Sequence, residues 1–572
     1  MNILGITHDI INTSASIVVN GKIIAAIAEE RLTRQKKTRL FPTKAIKFCL
    51  DYSQLNFSDI DYVAHSFNPS IFLRKKNLRF SGISRWRAEY FTSIPNNLTN
   101  FIDDELYKFS YQELGLKNKK SLKIFHIDHH LAHAANAFNI SGFNNSAIIS
   151  LDGRGEKNTG KLLYGKGNKI IELDEITYPH SIALFYGIFT EILGYRMDND
   201  EWKVMALGAY ATNENLKKKY FNKLSELILF DSKLGKFELN LNYFNFFIND
   251  ELYPYNKKIL KFLDFKKNYN NTLNEKVYCL AYAVQKIAEK TAFFLMNNLH
   301  KKTKSNNLCC SGGFFMNSLL NGKISSKTNF KKVFISSCPD DLGNSIGSAL
   351  YLYNNILNKK NKFKQNHNYY GPSYNNNEVE LYLKKTNARY NYIREPHKLA
   401  AKLIYEGKIV GWFQGREEFG ERALGNRSIL ANPTHNNMKD KINSAIKFRE
   451  SFRPFAPVII EKYLNDYFIS NNEKTVKFME KVLKIKKSKQ KIIPAVTHAD
   501  GTGRVQTINE KDNPHLHKVV NYFFKLSNVP VVLNTSFNLN EEPIVSSPID
   551  ALKTFYISKI DALIIGNYYI KK

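Results

Sequence analysis

Two histidines four residues apart, His129 and His133, stand in the run HHLAHAANAF. On a helix, positions i and i+4 share one face, so two imidazoles at this spacing can grip one metal ion. Asp152 follows the apolar run SAIISL, at the C-terminal end of a buried strand, where the sites of α/β sheets usually lie. A carboxylate there would complete a two-histidine site with open positions. Asp341, in the PDDLG turn between a strand and a helix, is the second carboxylate candidate. The plainer alternative is a pair of helix histidines satisfied by local hydrogen bonds.

Four other stretches carry possible chemistry. Cys310-Ser311-Gly312-Gly313, with Asn317 shortly after, joins a strand to a helix through two glycines, so backbone N–H groups can approach a phosphate. The plainer reading is a tight turn. Gly160 to Gly167 (GKLLYGKG) mimics a P-loop but has Gly167 where Ser or Thr is required, and it sits in a strand pattern, so it is rejected. Between Gly415 and Pro457, Arg416, Arg422, Arg427, Lys447, Arg449 and Arg453 crowd together beside apolar residues. Guanidinium groups suit bidentate capture of phosphate or carboxylate, which favours an anionic small molecule over a solvated face. RNA is the rival ligand, but the aromatic platforms expected for stacking bases are missing from the block. Finally, HADGTGR (498–504, ending in Arg504) and Asn534-Thr-Ser536-Phe-Asn538 put hydroxyl, amide and Arg donors near strand ends. Ser536 has no His and Asp partners in a triad order, so a serine hydrolase is a poor reading.

The elements that must position these groups alternate strand and helix, an α/β pattern with mixed sheets. Strands are predicted over 2–7, on both sides of the Asn20-Gly21 hairpin signal, and over 61–66, 123–127, 146–151, 307–310 and 333–336. A hairpin is predicted over 160–172. Helices are predicted over 43–52, 129–138, 277–299 and 343–353, with Gly312-Gly313 opening another. Helical segments are also expected within the aromatic-rich stretch 67–120. The polar segment 358–377 (NKKNKFKQNHNYYGPSYNNN) reads as a linker between domains at 1–357 and 378–572, and further strands fall at 408–413 and 529–534. No internal repeat is visible.

The 572 residues correspond to about two to four domains. With 43% hydrophobic and 24% charged residues the chain is neither disordered nor fibrous. Five scattered cysteines without a CxxC exclude a disulfide scaffold and argue against a zinc ribbon. The net charge of +31 fits either an anionic partner or a Lys- and Asn-rich coding bias, and the dispersed lysine runs favour the bias. The N-terminus lacks the features of a signal peptide, and no run of about 18 apolar residues occurs, so a cytoplasmic protein without membrane spans is expected.

In this order the blocks resemble the O-carbamoyltransferases of the nodulation and antibiotic-tailoring type. The resemblance runs through GITHD…SA, EERLTR, HHLAHA, LDGRGE, SIALFYGIFTEILGYRMDNDEWKVM, SGGFFMNSLLNG, PDDLGNSIGSAL, the arginine-rich block, HADGTGRVQTI and LNTSFNLNEEPIV. It implies an actin-like ATPase (Kae-like) N-terminal domain and a smaller YrdC-like C-terminal domain. It also implies two steps: carbamoyl phosphate and ATP give carbamoyl-adenylate and pyrophosphate, and the carbamoyl group then passes to a hydroxyl of a small molecule or glycan, releasing AMP. By the same resemblance, Lys447, Arg449, Arg453, Arg504 and Ser536, with Arg422 and Asn534, hold carbamoyl phosphate and the nucleotide phosphates. His129, His133, Asp152 and Asp341 hold a divalent metal, iron(II), with Mg2+ a possible companion of ATP. His8 and Lys36 position the acceptor or move its proton, and Glu156, Gly312, Gly313 and Asn317 line the nucleotide.

Some positions depart from the family pattern. Glu421 stands where Pro is common, Asn432 replaces an Asp, Glu541 replaces a Gly, and the order Ala206-Leu-Gly208 is altered. Phe314-Phe-Met316 is bulkier than usual, which puts nucleotide selectivity in doubt. Rival readings are a tRNA threonylcarbamoyl-type or RNA-binding protein, a hydrogenase-maturation carbamoyltransferase (which should carry Cys-rich zinc fingers), and an inactive ATP-binding module. Nucleic acid is disfavoured as a partner, and a homodimer is compatible with the sequence.

Overall fold

The structure, a computed structural model, describes residues 1–8, 12–68, 109–116, 119–248, 253–361, 363–450, 452–470 and 473–572. The first half is built on two similar sheets. In one, β1 (Asn2–Thr7), β2 (Ser14–Val19) and β3 (Lys22–Ala28) form an antiparallel meander. Asn20 and Gly21, both at positive φ, make the hairpin turn that the Asn-Gly pair predicts. β4 (Tyr62–His65) then joins β1 in parallel, and β5 (Phe109–Leu116) and β6 (Lys119–Ile127) complete the order β3-β2-β1-β4-β6-β5.

The second sheet repeats the plan. β7 (Asn145–Leu151), β8 (Asn158–Lys166) and β9 (Lys169–Thr177) form the meander. After the β10 (Ile228–Asp231) and β11 (Lys236–Leu239) hairpin, β12 (Asn307–Ser311) and β13 (Lys332–Ile335) add in parallel, giving β13-β12-β7-β8-β9. Two copies of one meander-plus-parallel topology form the actin-like ATPase arrangement. The repeat that the sequence does not display is therefore present in the chain path. Strand periodicity and right-handed crossovers constrain topology without constraining residue identity.

Between the sheets, the His129–Phe138 helix packs on the Asn344–Tyr351 helix. Four alanines on the first make the approach close: a Cβ on Gly347 would lie 2.0 Å from the carbonyl oxygen of Ala132. Behind the second sheet runs the Glu275–Thr303 helix, whose apolar face shares a core with Ile149, Leu151 and Leu308.

The second half carries an eight-stranded mixed sheet. Its strands are β14 (Asn391–Tyr392), β15 (Val410–Phe413), β16 (Arg427–Ala431), β17 (Ala456–Ile460), β21 (Gln506–Ile508), β22 (Val531–Ser536), β23 (Ala562–Ile565) and β24 (Tyr568–Lys571). The intervening β18 (Phe468–Ile469), β19 (Val482–Ile485) and β20 (Thr502–Arg504) form a small separate sheet. The large sheet has its own core, which includes the fully buried Trp412.

Two expectations are corrected. Residues 109–116 form a strand rather than helix, pairing with β6; residues 69–108 of the same expectation lie outside the described residues. Gly313 opens only a single tight turn, Gly313–Met316, before the short Ser318–Asn321 helix. The polar segment 358–377 is held by backbone hydrogen bonds. Gln365 N–H donates to the carbonyl of Ile140 at 2.8 Å, and Phe419 N–H donates to the carbonyl of Asn368 at 2.8 Å, so its backbone is bound to both halves. Among the described residues no helix is long and apolar enough to cross a membrane.

Candidate active site

The His129–Phe138 helix starts at Asp128, whose carboxylate accepts the N–H of Leu131 at 3.0 Å as an N-cap. This seats both predicted imidazoles on one buried face. His129 Nε2 and His133 Nε2 lie 3.1 Å apart, and Asp152 Oδ2, at the end of β7, lies 3.0 and 3.1 Å from them. Asp341 Oδ1 comes within 3.5 and 3.4 Å of the same nitrogens. One donor atom from each of the four lies within 4.8 Å of all the others.

Electrostatics sharpen this convergence. Burial raises Asp152, but hydrogen bonds from both histidines outweigh it and hold the carboxyl well below the usual range. Burial and the neighbouring Asp152 push Asp341 well above it. Burial lowers His129, and the two carboxylates more than compensate, so its pKa rises. Asp341 Oδ1 has no hydrogen-bond donor although it is buried. Four lone-pair donors aimed at one point, one of them without a donor, are what a divalent first-row cation would satisfy.

The two glycines serve this cluster. Gly312, at φ +100°, passes so close to β7 that a Cβ would meet the Leu151 carbonyl oxygen at 2.1 Å. The N–H groups of Gly153 and Gly313 donate to Asp152 Oδ1 at 2.8 and 3.3 Å, which turns Oδ2 toward the histidines. Gly313 also lines the cavity described below, and Gly312 does not. Glu156 lies off the cavity wall, buried, and accepts the backbone N–H groups of Asn68 (2.7 Å) and His129 (3.0 Å). Burial and Asp128 push its carboxyl up to about 7. Asn344, which sequence reading missed, places its Nδ2 3.1 Å from His133 Nε2. Its only sequence signal is its position three residues after Asp341, one helical turn along.

The Cβ of an alanine at 313 would stand 2.9 Å from Asp152 Oδ1. Gly313→Ala is expected to lower affinity for a divalent ion about tenfold, the scale of lost outer-shell support. Calorimetric titration of the metal-free protein, with a melting curve to confirm folding, checks this.

A cavity of about 770 Å3 opens over Asp152 and Asp341 and is lined from both halves of the chain. The second half contributes Arg422, Lys447, Arg449, Arg453, Arg504, Asn534 and Ser536 to its lining, all predicted. Lys447 is buried, and its Nζ donates to the carbonyls of Ser536 (2.5 Å) and Asn538 (2.9 Å) and to Asn538 Oδ1 (2.8 Å). Among the described residues, Arg422, Arg449 and Arg504 have no carboxylate within ion-pair distance. Burial first, and then mutual repulsion, holds Lys447, Arg449 and Arg504 well below their ordinary pKa. Buried and half-buried cations crowded with no carboxylate at ion-pair distance are an arrangement that an anion would satisfy.

Two arginines of the block do something else. Arg427 is fully buried, with its guanidinium 3.7 Å above the Phe413 ring and donating to the carbonyls of Gln414 (2.8 Å) and Pro372 (3.0 Å). Arg416 donates to the carbonyls of Gly371, Ile24 and Tyr370. Both hold backbone together.

Lys36 lines the cavity, and Asn317 does so while its side-chain amide pairs with Gln285. His8 does not reach the wall; it packs edge-on against Phe41 with ring centroids 5.2 Å apart.

An actin-like first half with a four-donor cluster thus shares one cavity with the arginine-rich second half. The sequence profiles described as Carbamoyltransferase N-terminus and Carbamoyltransferase C-terminus match residues 2–350 and 401–572. The chain belongs to the carbamoyltransferase family and is an enzyme of that class. It is 32% identical to the nodulation protein NolNO of Sinorhizobium fredii, over all of this chain and 80% of that one. An uncharacterized Synechocystis protein is also 32% identical, over 100% and 97% of the two chains. The 3'-hydroxymethylcephem-O-carbamoyltransferase of Streptomyces clavuligerus is 28% identical over 46% of this chain and 49% of its own. Among solved structures, full-length HypF in its phosphate- and nucleotide-bound form aligns with 61% of this chain and 55% of its own at 15% identity and a TM-score of 0.29, too little agreement to bear on function.

Proposed function

We propose that this carbamoyltransferase is ATP-dependent and works in two steps in one cavity. Carbamoyl phosphate and ATP give carbamoyl-adenylate and pyrophosphate; atom balance requires that one water is consumed and one inorganic phosphate leaves. The carbamoyl group then passes to a hydroxyl of a small molecule or glycan, and AMP departs. The observation that carries the reading is the pairing, across a single cavity, of an uncompensated cation cluster with a convergent two-histidine, two-carboxylate cluster.

In the first step, Lys447, Arg449, Arg504 and Arg422 would neutralise the polyphosphate and the charge that builds on the transferring α-phosphoryl group. Lys447 is preorganised for this by Ser536 and Asn538, so little reordering accompanies reaction. In the second step, His129, His133, Asp152 and Asp341 would hold a divalent ion, iron(II) in this reading, which lowers the pKa of a bound hydroxyl or polarises a carbonyl. Gly153 and Gly313 would keep Asp152 oriented for that role, and Lys36 lies near enough to Lys447 to feel its charge and would face the adenylate. Because the two centres share a cavity, carbamoyl-adenylate would reach the acceptor without leaving it. We further propose that residues 1–357 and 378–572 act as the transferring and the adenylating unit.

Incubation with ATP and carbamoyl phosphate, without acceptor, is expected to release pyrophosphate and phosphate in equal amounts. ATP alone should release neither. Absence of pyrophosphate from folded, metal-loaded protein would overturn the adenylation step.

A further inference from the structure

We infer that Trp202 and Lys203, on the first half, are positioning residues that hold the Arg453 guanidinium of the second half open to an anion. The inference rests on the anion site proposed above. The Trp202 ring is fixed by its Nε1–H, which donates to the carbonyl of Asn199 at 3.1 Å. The Arg453 guanidinium carbon lies 3.8 Å from the centre of that ring, a cation–π stack reaching from one half of the chain to the other. Lys203 Nζ stands between Asp200 Oδ1 at 3.4 Å and Glu450 Oε1 at 3.1 Å. The other oxygen of Glu450 is 3.5 Å from Arg453 Nη1. Next to Arg453 in sequence, the carbonyl of Phe452 accepts the Tyr210 hydroxyl at 3.4 Å.

Each contact has a definite consequence. An arginine side chain is long and flexible, and Arg453 is repelled by Lys447 and Arg449 and attracted by Glu450, Asp200 and Glu541. Unrestrained, its guanidinium would swing toward Glu450, the nearby carboxylate. Lys203 draws that carboxylate by one oxygen and leaves Arg453 only a long contact to the other. The indole covers one face of the guanidinium, and the Glu450 contact engages only Nη1 of its edge. Arg453 Nε is buried without a hydrogen-bond partner, so a donor remains for a ligand. Both Trp202 and Arg453 line the cavity. The same short helix, Glu201–Leu207, thus ties the half that carries the four-donor cluster to an arginine of the anion site.

The test uses the full-length protein and pyrophosphate as the probe. Affinity is measured by calorimetry, and kcat/KM for pyrophosphate release is measured alongside it. Trp202→Leu keeps an apolar side chain but loses the π face, and is expected to weaken both about tenfold, whereas Trp202→Tyr stays within about threefold of wild type. Lys203→Met is expected to lose about tenfold, because Glu450 then captures Arg453. The double variant Lys203→Met/Glu450→Gln should recover most of that loss, which a merely structural lysine would not allow. Wild-type tryptophan emission should change with pyrophosphate, and Trp202→Tyr should lose that change. The inference is overturned if Trp202→Leu binds pyrophosphate as tightly as wild type, or if the double variant is no better than Lys203→Met. Wild-type protein that binds pyrophosphate with these variant effects, yet releases none from ATP, would instead sink the adenylation reading alone.

Discussion

His129→Gln is expected to abolish carbamoyl transfer while leaving pyrophosphate release within about threefold of wild type. The variant keeps the side-chain volume at a fully buried position and so limits any cavity. It removes one of two imidazoles whose Nε2 atoms lie 3.1 Å apart, and with it one of four converging donors. Metal content should fall at least a hundredfold, and the acceptor step should fall with it. The arginine cluster belongs to other elements, β20 and the loop before β17, and should continue to form adenylate. Equal loss of both half-reactions in a variant that melts normally would refute the division into two centres.

Arg504→Met should give the reverse pattern. Pyrophosphate release is expected to fall about 100- to 1000-fold, the usual loss when one preorganised donor to a developing charge is removed. The stability of the ligand-free protein should not fall, and is expected to rise. In the absence of an anion, burial penalises the Arg504 charge first, and Arg422 and Arg449 repel it. Replacing such a group with an apolar side chain removes a penalty rather than a favourable contact. Wild-type protein should gain melting temperature with pyrophosphate, since a ligand that binds only the folded state stabilises it, and the variant should lose most of that gain. A variant that is strongly destabilised without ligand would show that Arg504 has a structural partner and belongs with Arg427.

That contrast marks the limit of sequence reading. Arg416, Arg422, Arg427, Arg449 and Arg453 are alike as residue types and lie within 38 positions of one another. Density alone predicted an anion site, which the cavity wall supports, but it could not separate Arg422 and Arg449 from Arg416 and Arg427. The difference lies in what surrounds each guanidinium. Backbone carbonyls of Gln414 and Pro372, far apart in sequence, engage both terminal nitrogens of Arg427, and carbonyls from both halves take up Arg416. The contacts of Glu156 and Gly313 were equally invisible in the sequence, because the packing of β7 against the His129–Phe138 helix sets them against the His129 backbone and Asp152.

The sequence by itself determined what depends on local order. The i, i+4 histidines, the carboxylates at strand ends, the Asn-Gly hairpin and most strand and helix positions follow from periodicity and turn chemistry, which act over a few residues. Tertiary structure alone decided which cations stay without counter-charge, how two sheets repeat one topology, and that the four-donor cluster and the arginine cluster face one cavity. Those outcomes depend on contacts between residues hundreds of positions apart, such as Trp202 with Arg453 and Arg31 with Glu417. Burial converts such contacts into chemistry, because a charge removed from water must find a partner in the protein or await one from outside it.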